Sequence, residues 1–333
     1  KNSIYSLTEK VEEISLSKKN LFKDLVPKLN ENLLLIGQDY ILNKGRYEIK
    51  EPIIIPSGFN FIIQPGSVLK MSKGTYIMIE NGLAKFEGKI DQPIIIQALS
   101  AKNKWKGIYV NSKSIDKKFS IFNHVEISDY SYFDDSKIQL TGGVNLINGQ
   151  FKLLNSFFKN SFAEDAINLV NSNFKVSNLK ISNTDSDAID IDFGNGEIIN
   201  SDFQTVLGDA IDLSGSRVSL RNISAQNIAD KAISAGEESF LEIDKLKISK
   251  SRIGIASKDS SNVKGSNIEI SNCGLFDFAV YQKKSYFSGA SLNVQAISDC
   301  KESIVQVGSE LFVNNKKFNQ KKLDIKKLYD GTF

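Results

Sequence analysis

From Glu51 onward, short bursts of apolar residues alternate with turn-forming Gly, Asn, Asp and Ser. The stretches EPIIIPSGFNFIIQPGSVLKM, GTYIMIENGLAKFEGKI and QPIIIQA each give three to five apolar residues and then a turn. No stretch between them is long enough for the helix that a βαβ crossover needs. This pattern favours an all-β chain, which could be a meander sandwich, a barrel or a parallel β-solenoid.

An internal repeat distinguishes between these architectures. One motif recurs in steps of 22 residues, as DAINL at Asp165, DAIDI at Asp187, DAIDL at Asp209, KAISA at Lys231 and IGIAS at Ile253. Two polar columns keep the same phase. The first is Asn155, Asn178, Asn200, Asn222, Asp244 and Asn267, and the second is Asn160, Asn183, Thr205, Asn227, Ser249 and Asn272. Three columns in phase predict that each repeat is one coil of a solenoid.

A coil of 22 residues with three short strands describes a single-stranded parallel β-helix. The chirality rule for parallel connections makes it right-handed. Successive coils then stack at about 4.8 Å, and the asparagines form ladders inside the turns. The inward column is apolar and consists of Ile167, Ile189, Ile211, Ile233 and Ile255. We expect about eleven or twelve such coils.

The pattern changes along the chain and divides it into three regions. Residues 1–50 show helix-like spacing, with Thr8 suited to an N-cap, and predict a short N-terminal helical cap. Residues 51–315 form the parallel β-helix. The lysine-rich residues 316–333 form a C-terminal cap or tail, because the ends of a solenoid must be covered. The stretch Ser128 to Gly143 fits no coil and is expected to bulge as a loop.

Composition narrows the classes of function. The 333 residues are 41% hydrophobic and 24% charged, and the net charge of +3 is dispersed, so nucleic acid is not an expected partner. No apolar run approaches the roughly 20 residues that span a bilayer, so membrane insertion is not expected. Cys273 and Cys300 match no metal spacing and could pair if their strands are neighbours. The first residue is Lys1, which is compatible with removal of a secretory signal.

The repeat also stacks carboxylates in two columns. The first column is Asp165, Asp187, Asp209 and Lys231. The second, which faces outward three residues further along each strand, is Asn168, Asp190, Asp212 and Ser234. Like charges about 4.8 Å apart raise a carboxyl pKa, which provides a general acid at neutral pH. Carboxyl pairs about 5 Å or about 6.5–9.5 Å apart also occur in glycoside cleavage. The candidate catalytic residues are therefore Asp187, Asp190, Asp209 and Asp212.

Two other interpretations of these columns stay open. Asp165, Asp187 and Asp209 could hold Ca²⁺, a hard ion that takes about six to eight oxygen ligands. The same residues could form a structural ladder, because an Asp after a turn commonly accepts backbone N–H bonds. Asp190 and Asp212 are the sharper candidates for function, since they are expected to face solvent between inward isoleucines.

Cationic and aromatic residues nearby suit substrate binding. Lys231, Arg252 and Lys258 would place positive charge beside a sugar carboxylate, with Asp230 in the adjoining turn. Tyr132 belongs to the YFDD segment of the bulged loop, where an aromatic ring and acids stand together as in a saccharide-contacting loop.

The chain resembles the right-handed parallel β-helix proteins of the pectate-lyase-like superfamily over residues 50–315. The motifs NTDSDAIDI and GDAIDLSGS are similar to the paired motifs of polygalacturonases. In register, Asp187 and Asp209 fall where two catalytic aspartates are expected in that family. The resemblance implies cleavage, epimerisation or binding of an acidic polysaccharide.

Three departures argue against a working polygalacturonase. Gly208 stands in place of a family aspartate, the segment ADK ending at Lys231 replaces the histidine motif, and Arg252 and Lys258 do not form an Arg-x-Lys pair. The motifs DAIDLSGS, DKAISAGEES and GIASKDSS resemble more closely those of a group of bacterial surface β-helix domains. That resemblance implies no known chemistry.

These resemblances imply an exported protein at the cell envelope or outside the cell, with a polysaccharide or glycan as partner. One hypothesis is an enzyme, a lyase, epimerase or hydrolase of a uronate-type polymer that uses the Asp cluster. The alternative is a non-catalytic surface module that binds glycan or a protein partner. An adhesin-like fibre would differ mainly in being trimeric, so a monomer and a homotrimer both stay open.

Overall fold

The computed structural model describes residues 33–100, 102–112, 118–134, 138–300 and 302–330. These residues form 29 strands and one short helix, numbered in chain order. A hairpin of β1 (Leu33–Ile36) and β2 (Asp39–Leu42) comes first. The helical cap predicted within residues 1–50 falls on residues 1–32, which lie outside the described residues, whereas residues 33–49 already contain strands. The division into three regions stays a prediction.

The strands form three parallel sheets, and each coil contributes one strand to each sheet. Sheet I contains β4 (Ile53–Ile55), β7 (Ile77–Glu80), β10 (Ile108–Asn111), β13 (Gly142–Ile147), β16 (Asp165–Val170), β19 (Asp187–Asp192), β21 (Ile211–Ser214), the last parts of β22 (Arg217–Gly236) and β23 (Phe240–Lys258), β25 (Phe276–Tyr281) and β27 (Ile304–Val305).

Sheet II contains β2, β5 (Asn60–Ile63), β8 (Ala84–Glu87), β11 (Phe119–Asn123), β14 (Gln150–Leu154), β17 (Asn173–Ser177), the first parts of β20 (Asn195–Val206), β22, β23, β24 (Asn262–Ser271) and β26 (Ser291–Ser298), and β28 (Glu310–Val313). Sheet III contains β3 (Arg46–Ile49), β6 (Val68–Met71), β9 (Ile94–Ala98), β12 (Val125–Ser131), β15 (Phe157–Phe162), β18 (Lys180–Thr184) and the later parts of β20, β22, β23, β24 and β26. Strand β29 (Lys316–Lys317) and helix α1 (Ile325–Asp330) follow.

The pairing register confirms the predicted solenoid, which has about 12 turns of about 23 residues each, close to the repeat of 22 in the sequence. The inward isoleucines stack in one column through four successive strand pairs of sheet I, and all five are at most 1% exposed: Ile167, Ile189, Ile211, Ile233 and Ile255. Apolar residues from all three sheets form one continuous core along the solenoid. Burying this column is the main favourable contribution that the repeat makes to folding.

Each coil turns its corners through residues in the left-handed region of backbone space. One column is Asn155, Asn178, Asn200, Asn222, Lys245 and Asn267, and a second is Asn160, Asn183, Thr205, Asn227, Lys250 and Asn272. Asparagine tolerates this conformation because its short polar side chain bonds locally. The left-handed positions fall one residue after the predicted members Asp244 and Ser249, since Arg217 pairs with Phe240 and that coil is one residue longer than the repeat of 22. Asp244 still belongs to the ladder, because its Oδ1 accepts a hydrogen bond from Asn267 Nδ2 at 2.8 Å.

Side-chain amides link successive corners along the solenoid. Asn178 Nδ2 donates to Asn155 Oδ1 at 2.8 Å. A third corner column, between sheets I and II, has the same bond from Asn171 Nδ2 to Asn148 Oδ1 at 2.8 Å. The predicted ladders are therefore present, and each bond contributes about 0.5–1.5 kcal/mol of net stability.

A disulfide between Cys273 and Cys300 joins the end of β24 to the turn after β26. The sequence left this pairing open, because it depends on two strands being neighbours in the sheet. The described part of the chain contains no helix of the length and apolarity required to cross a membrane.

We expect Asn178→Ala to lower the free energy of unfolding by about 2 kcal/mol, because alanine pays for the left-handed backbone and the amide bond is lost. Asn178→Gly should cost about half as much, since glycine adopts φ of +54° freely and only the bond is lost. Urea unfolding of both variants measures this difference. Equal losses would show that backbone conformation does not govern this corner.

Candidate active site on the outer face of sheet I

The outer face of sheet I is covered at two places and carries charged residues between them. On one side, Phe133 of the loop after β12 is fully buried and packs with Tyr76 and Tyr109. On the other side, Leu328 of α1 packs with Ala256 of β23 and its neighbours. The coils of β16, β19 and β21 lie between these two coverings. They bring the predicted carboxylates to one surface.

The first carboxylate column forms a ladder from each coil to the next. Asp187 Oδ1 accepts the backbone N–H of Asp209 at 2.7 Å, and Asp209 Oδ1 accepts that of Lys231 at 2.8 Å. Lys231 Nζ also lies 3.0 and 3.2 Å from the two Asp209 carboxylate oxygens. Gly208 makes room for this arrangement, because a Cβ there would lie 2.0 Å from Asp187 Oδ1. These contacts are the ones that a structural ladder requires.

The second column places Asp190 beside Asp212 as register partners on β19 and β21. Asn168 Nδ2 donates to Asp190 Oδ2 at 3.1 Å. The backbone N–H of Leu213 donates to Asp212 Oδ1 at 2.9 Å. Both aspartates are partly buried, so they keep contact with solvent while losing much of their hydration.

Lys258 reaches Asp212 from two coils away. Its ammonium nitrogen lies 3.6 Å from Asp212 Oδ1, and the lysine side chain is only 8% exposed. The aliphatic stem passes over Gly236, where a Cβ would lie 2.8 Å from Lys258 Cε. Because Gly236 has no side chain, Lys258 can lie across it and bring its ammonium group to Asp212 in the second column.

Burial and mutual repulsion set the pKa values of these carboxyls apart. Burial and nearby carboxylates raise the pKa of Asp190 to about 9, and burial with the charge of Asp209 raises the pKa of Asp187 to about 8. Burial raises the pKa of Asp209 only to about 6, because Lys231 stabilises its charged form. Burial acts on Asp230 too, but Lys231 holds its pKa below the usual value. At pH 7 the series thus runs from a protonated Asp190 to an ionised Asp230.

Three carboxylates come close enough to share a cation. One oxygen each of Asp187, Asp209 and Asp212 lies within 4.8 Å of the others. The predicted trio contained Asp165 instead of Asp212, but Asp165 Oδ2 accepts a hydrogen bond from Thr141 Oγ1 at 2.9 Å. Calcium needs about six to eight oxygen ligands.

The oxygens of this trio are largely occupied by protein groups. Both Asp209 oxygens already contact the ammonium of Lys231, and Asp187 Oδ1 accepts a backbone N–H. The donor set fits Ca²⁺ poorly, and calcium stays a prediction.

The predicted substrate-binding residues lie beside the cluster and are engaged with protein groups. Lys231 Nζ lies 2.5 Å from Asp230 Oδ2, and Arg252 Nη1 lies 3.2 Å from Asp230 Oδ1. Arg252 Nη2 donates to the Leu328 carbonyl at 2.6 Å. Tyr132 is 44% exposed in the loop that covers the earlier coils of sheet I. Contact of these residues with a substrate stays a prediction.

Two tyrosines beside the cluster were missed in the sequence. Tyr281 is fully buried at the end of β25, and its hydroxyl lies 2.7 Å from that of Tyr329 in α1. The Tyr329 ring centroid is 5.8 Å from Lys231 Nζ. Tyr281 is the register partner of Lys258, so the repeat could have placed it. Tyr329 follows no repeat, and its position depends on the tail folding back onto sheet I.

Residues 165–321 match the family model described as a right handed beta helix region. The fold is a right-handed parallel β-helix, with an acidic cluster on the outer face of one sheet. No curated protein matches the chain in sequence.

Solved structures similar to the chain include three carbohydrate-active proteins. The alginate lyase from Paenibacillus sp. str. FPU-7 shares 12% identity over 76% of this chain and 92% of that chain, with a TM-score of 0.32. A variant of the periplasmic alginate epimerase AlgG shares 11% over 91% and 83%, with a TM-score of 0.35. The catalytic domain of a GH87 α-1,3-glucanase shares 10% over 83% and 64%, with a TM-score of 0.36. These scores are too low to carry an inference about activity.

Gly236→Ala is expected to destabilise the protein by about 1–3 kcal/mol, because the new methyl group displaces Lys258 from Asp212. A double-mutant cycle with Lys258→Ala, followed by urea unfolding, isolates that contact. In the Lys258→Ala background the same glycine substitution should cost almost nothing. An equal loss of unfolding free energy in both backgrounds would show that the Lys258 side chain does not depend on the space at Gly236.

The raised pKa of Asp190 makes stability depend on pH. A carboxyl whose pKa is about 9 in the fold binds its proton more tightly than in the unfolded chain, so its contribution is present near pH 4 and is lost as the pH rises towards 9. We expect Asp190→Asn to exceed the wild type in unfolding free energy by at least about 1 kcal/mol at pH 8. That advantage should vanish near pH 4.

Asp230→Asn should change the unfolding free energy in the opposite direction to Asp190→Asn. The pKa of Asp230 is lowered by Lys231, so this carboxyl stabilises the fold at neutral pH and loses its contribution as the pH falls below its usual value. The variant should therefore be less stable than the wild type at pH 7. Two parallel pH–stability profiles for Asp190→Asn and Asp230→Asn would contradict the assignment of charge in the cluster.

Proposed function

We propose that the protein is a carbohydrate-active enzyme that hydrolyses a glycosidic bond with two carboxyl groups, Asp190 as general acid and Asp212 as its partner carboxylate. The observation that supports this best is that the two are register partners on the outer face of sheet I, where burial and neighbouring carboxylates raise the pKa of Asp190 to about 9. At neutral pH Asp190 has a proton to donate, and Lys258 at 3.6 Å stabilises negative charge on Asp212.

Cleavage of a glycosidic bond requires a proton on the leaving oxygen and a second carboxyl group at the anomeric carbon. Asp190 gives its proton to the leaving oxygen while Asp212 attacks the anomeric carbon and forms a glycosyl ester. Water then attacks the anomeric carbon, with Asp190 accepting its proton, and the bond to Asp212 breaks to release that carboxylate. The backbones of register partners lie about 4.8 Å apart, which allows their side chains the carboxyl separation of about 5–5.5 Å found in retaining enzymes, so we expect net retention of configuration.

Asp187 and Asp209 act in this mechanism as positioning residues. Asp187 accepts the N–H of Asp209, three residues before Asp212 in the same coil, and so fixes the segment that carries the nucleophile. Asp209 in turn fixes the N–H and the ammonium of Lys231. Removal of Asp187 would loosen the site without removing a reacting group.

The cationic side chains beside the cluster already form ion pairs within the protein, which favours hydrolysis over lyase or epimerase chemistry on a uronate polymer. Proton abstraction next to a sugar carboxylate needs positive charge that is available to that carboxylate. Lys231 and Arg252 instead form ion pairs with Asp230. A neutral or weakly charged glycan therefore suits this surface better than the uronate polymer that the sequence suggested.

A non-catalytic module that binds a glycan or a protein partner is the second candidate. The ladder from Asp187 through Asp209 to Lys231 favours it, because aspartates that accept backbone N–H bonds stabilise a solenoid without any chemistry. Such a module would retain polysaccharide without turnover, and neutralising Asp190 would leave that retention unchanged.

We also place the protein outside the cytoplasm. The Cys273–Cys300 disulfide supports this location, since disulfides persist in oxidising compartments. Whether it acts as a monomer or a homotrimer stays a prediction that sedimentation equilibrium can decide.

The wild type should release reducing ends from at least one member of a panel of neutral and uronate polysaccharides. Asp190→Asn and Asp212→Asn should each lower that rate by at least about 100-fold, because each removes one half of the acid–carboxylate pair. Asp202→Asn, on sheet III, is the matched control and should keep the wild-type rate. Unchanged turnover in Asp190→Asn would sink the assignment, and retention of a glycan without turnover by the wild type would establish the binding module.

A further inference from the structure

Phe193 interrupts the amide ladder at the corner between sheets I and II. The left-handed residues of this corner column include Asn148, Asn171, Phe193, Gly215 and Glu237, and φ of Phe193 is +54°. Asn171 Nδ2 bonds to Asn148 Oδ1 at 2.8 Å, and an asparagine at position 193 would continue that series by one more coil. The sequence places a bulky ring there instead.

Phenylalanine at this corner costs stability on two counts. A bulky aromatic residue in the left-handed region is a conformational outlier, which costs about 1–3 kcal/mol. The side chain is also 66% exposed, so it recovers little by burial. Asparagine or glycine would serve the corner better, and strained residues of this kind concentrate at functional sites.

The ring lies at the edge of the carboxylate cluster. Phe193 directly follows Asp192 at the end of β19, the strand that carries Asp190. The ring lies over Gly215 of the next coil, where a Cβ would come within 2.8 and 2.9 Å of the Phe193 atoms Cδ1 and Cε1. Because Gly215 has no side chain, the ring rests against the corner and exposes its other face.

We propose that Phe193 is a sugar-stacking residue, on which the apolar face of a pyranose ring packs while the adjoining part of the same glycan lies along the carboxylates of sheet I. An exposed aromatic face beside convergent polar groups is the combination by which proteins orient polar ligands with apolar faces. This inference rests on the proposed function, because the glycan on Phe193 is the one that reaches Asp190. Phe193 acts in binding and makes no contact with the reacting bond.

The test uses Phe193→Asn and Phe193→Trp in the Asp190→Asn background, so that turnover does not consume the probe. The probes are soluble laminarin, xylan, polygalacturonate and alginate in affinity gel electrophoresis. Phe193→Asn should weaken retardation by about tenfold or more, a loss of about 1.4 kcal/mol. Phe193→Trp should stay within about threefold of the parent, because it keeps an aromatic face. Phe193→Asn should also raise the thermal midpoint, since it extends the amide ladder and relieves the backbone.

Lys245→Asn is the matched control, since Lys245 also adopts a positive φ, of +61°, but at the corner between sheets II and III. It should raise the midpoint and leave retardation unchanged. Undiminished retardation of Phe193→Asn, or no retardation of the parent by any of the four probes, overturns the stacking role. So does a change of oligomeric state in Phe193→Asn on size-exclusion chromatography, which would assign the ring to a second copy of the chain. Catalysis by the wild type with undiminished binding by Phe193→Asn would refute this inference alone.

Discussion

Parallel in-register stacking determines which side chains of this solenoid lie next to one another. Within the described sheets, each strand residue lies ~4.8 Å from its equivalents in the neighbouring coils. Apolar and amide side chains benefit from this, as the isoleucine column and the Asn155–Asn178 bond show. Carboxylates do not, because the same spacing places like charges side by side. A solenoid that repeats an aspartate must therefore neutralise it, protonate it or use it.

The two acidic columns relieve the repulsion between stacked carboxylates in different ways. In the first, Asp187 and Asp209 accept backbone N–H bonds and Lys231 ends the series with an ammonium, although burial and the charge of Asp209 still raise the pKa of Asp187 to about 8. In the second, the charge of Lys258 reaches Asp212 across Gly236, while burial and neighbouring carboxylates raise the pKa of Asp190 to about 9. Uneven burial and an uneven supply of positive charge thus distinguish two carboxyl groups on neighbouring strands. The proposed acid–carboxylate chemistry depends on this difference between Asp190 and Asp212 and not on the repeat itself.

The sequence was informative wherever a property follows from the repeat. The 22-residue period predicted the parallel register, the inward isoleucines and the pairing of Asp190 with Asp212. Prediction failed where the period changes, as at Lys245, and where groups meet across coils or from outside the repeat. The path of Lys258 over Gly236, the contact of Tyr329 with Tyr281 and the disulfide of Cys273 all depend on three-dimensional packing that no column of the sequence encodes.

The proposed chemistry depends on the protonation of Asp190 at neutral pH, which a carbon-detected NMR titration of the aspartate carboxyl groups measures. We expect the Asp190 carboxyl carbon to keep the chemical shift of the protonated form at pH 7 and to titrate with a pKa near 9, while Asp230 titrates below the usual aspartate range. Asp190→Asn identifies the resonance by its disappearance. An Asp190 resonance that titrates near pH 4 would refute the assignment of Asp190 as the general acid, because the site would then have no proton donor there at neutral pH.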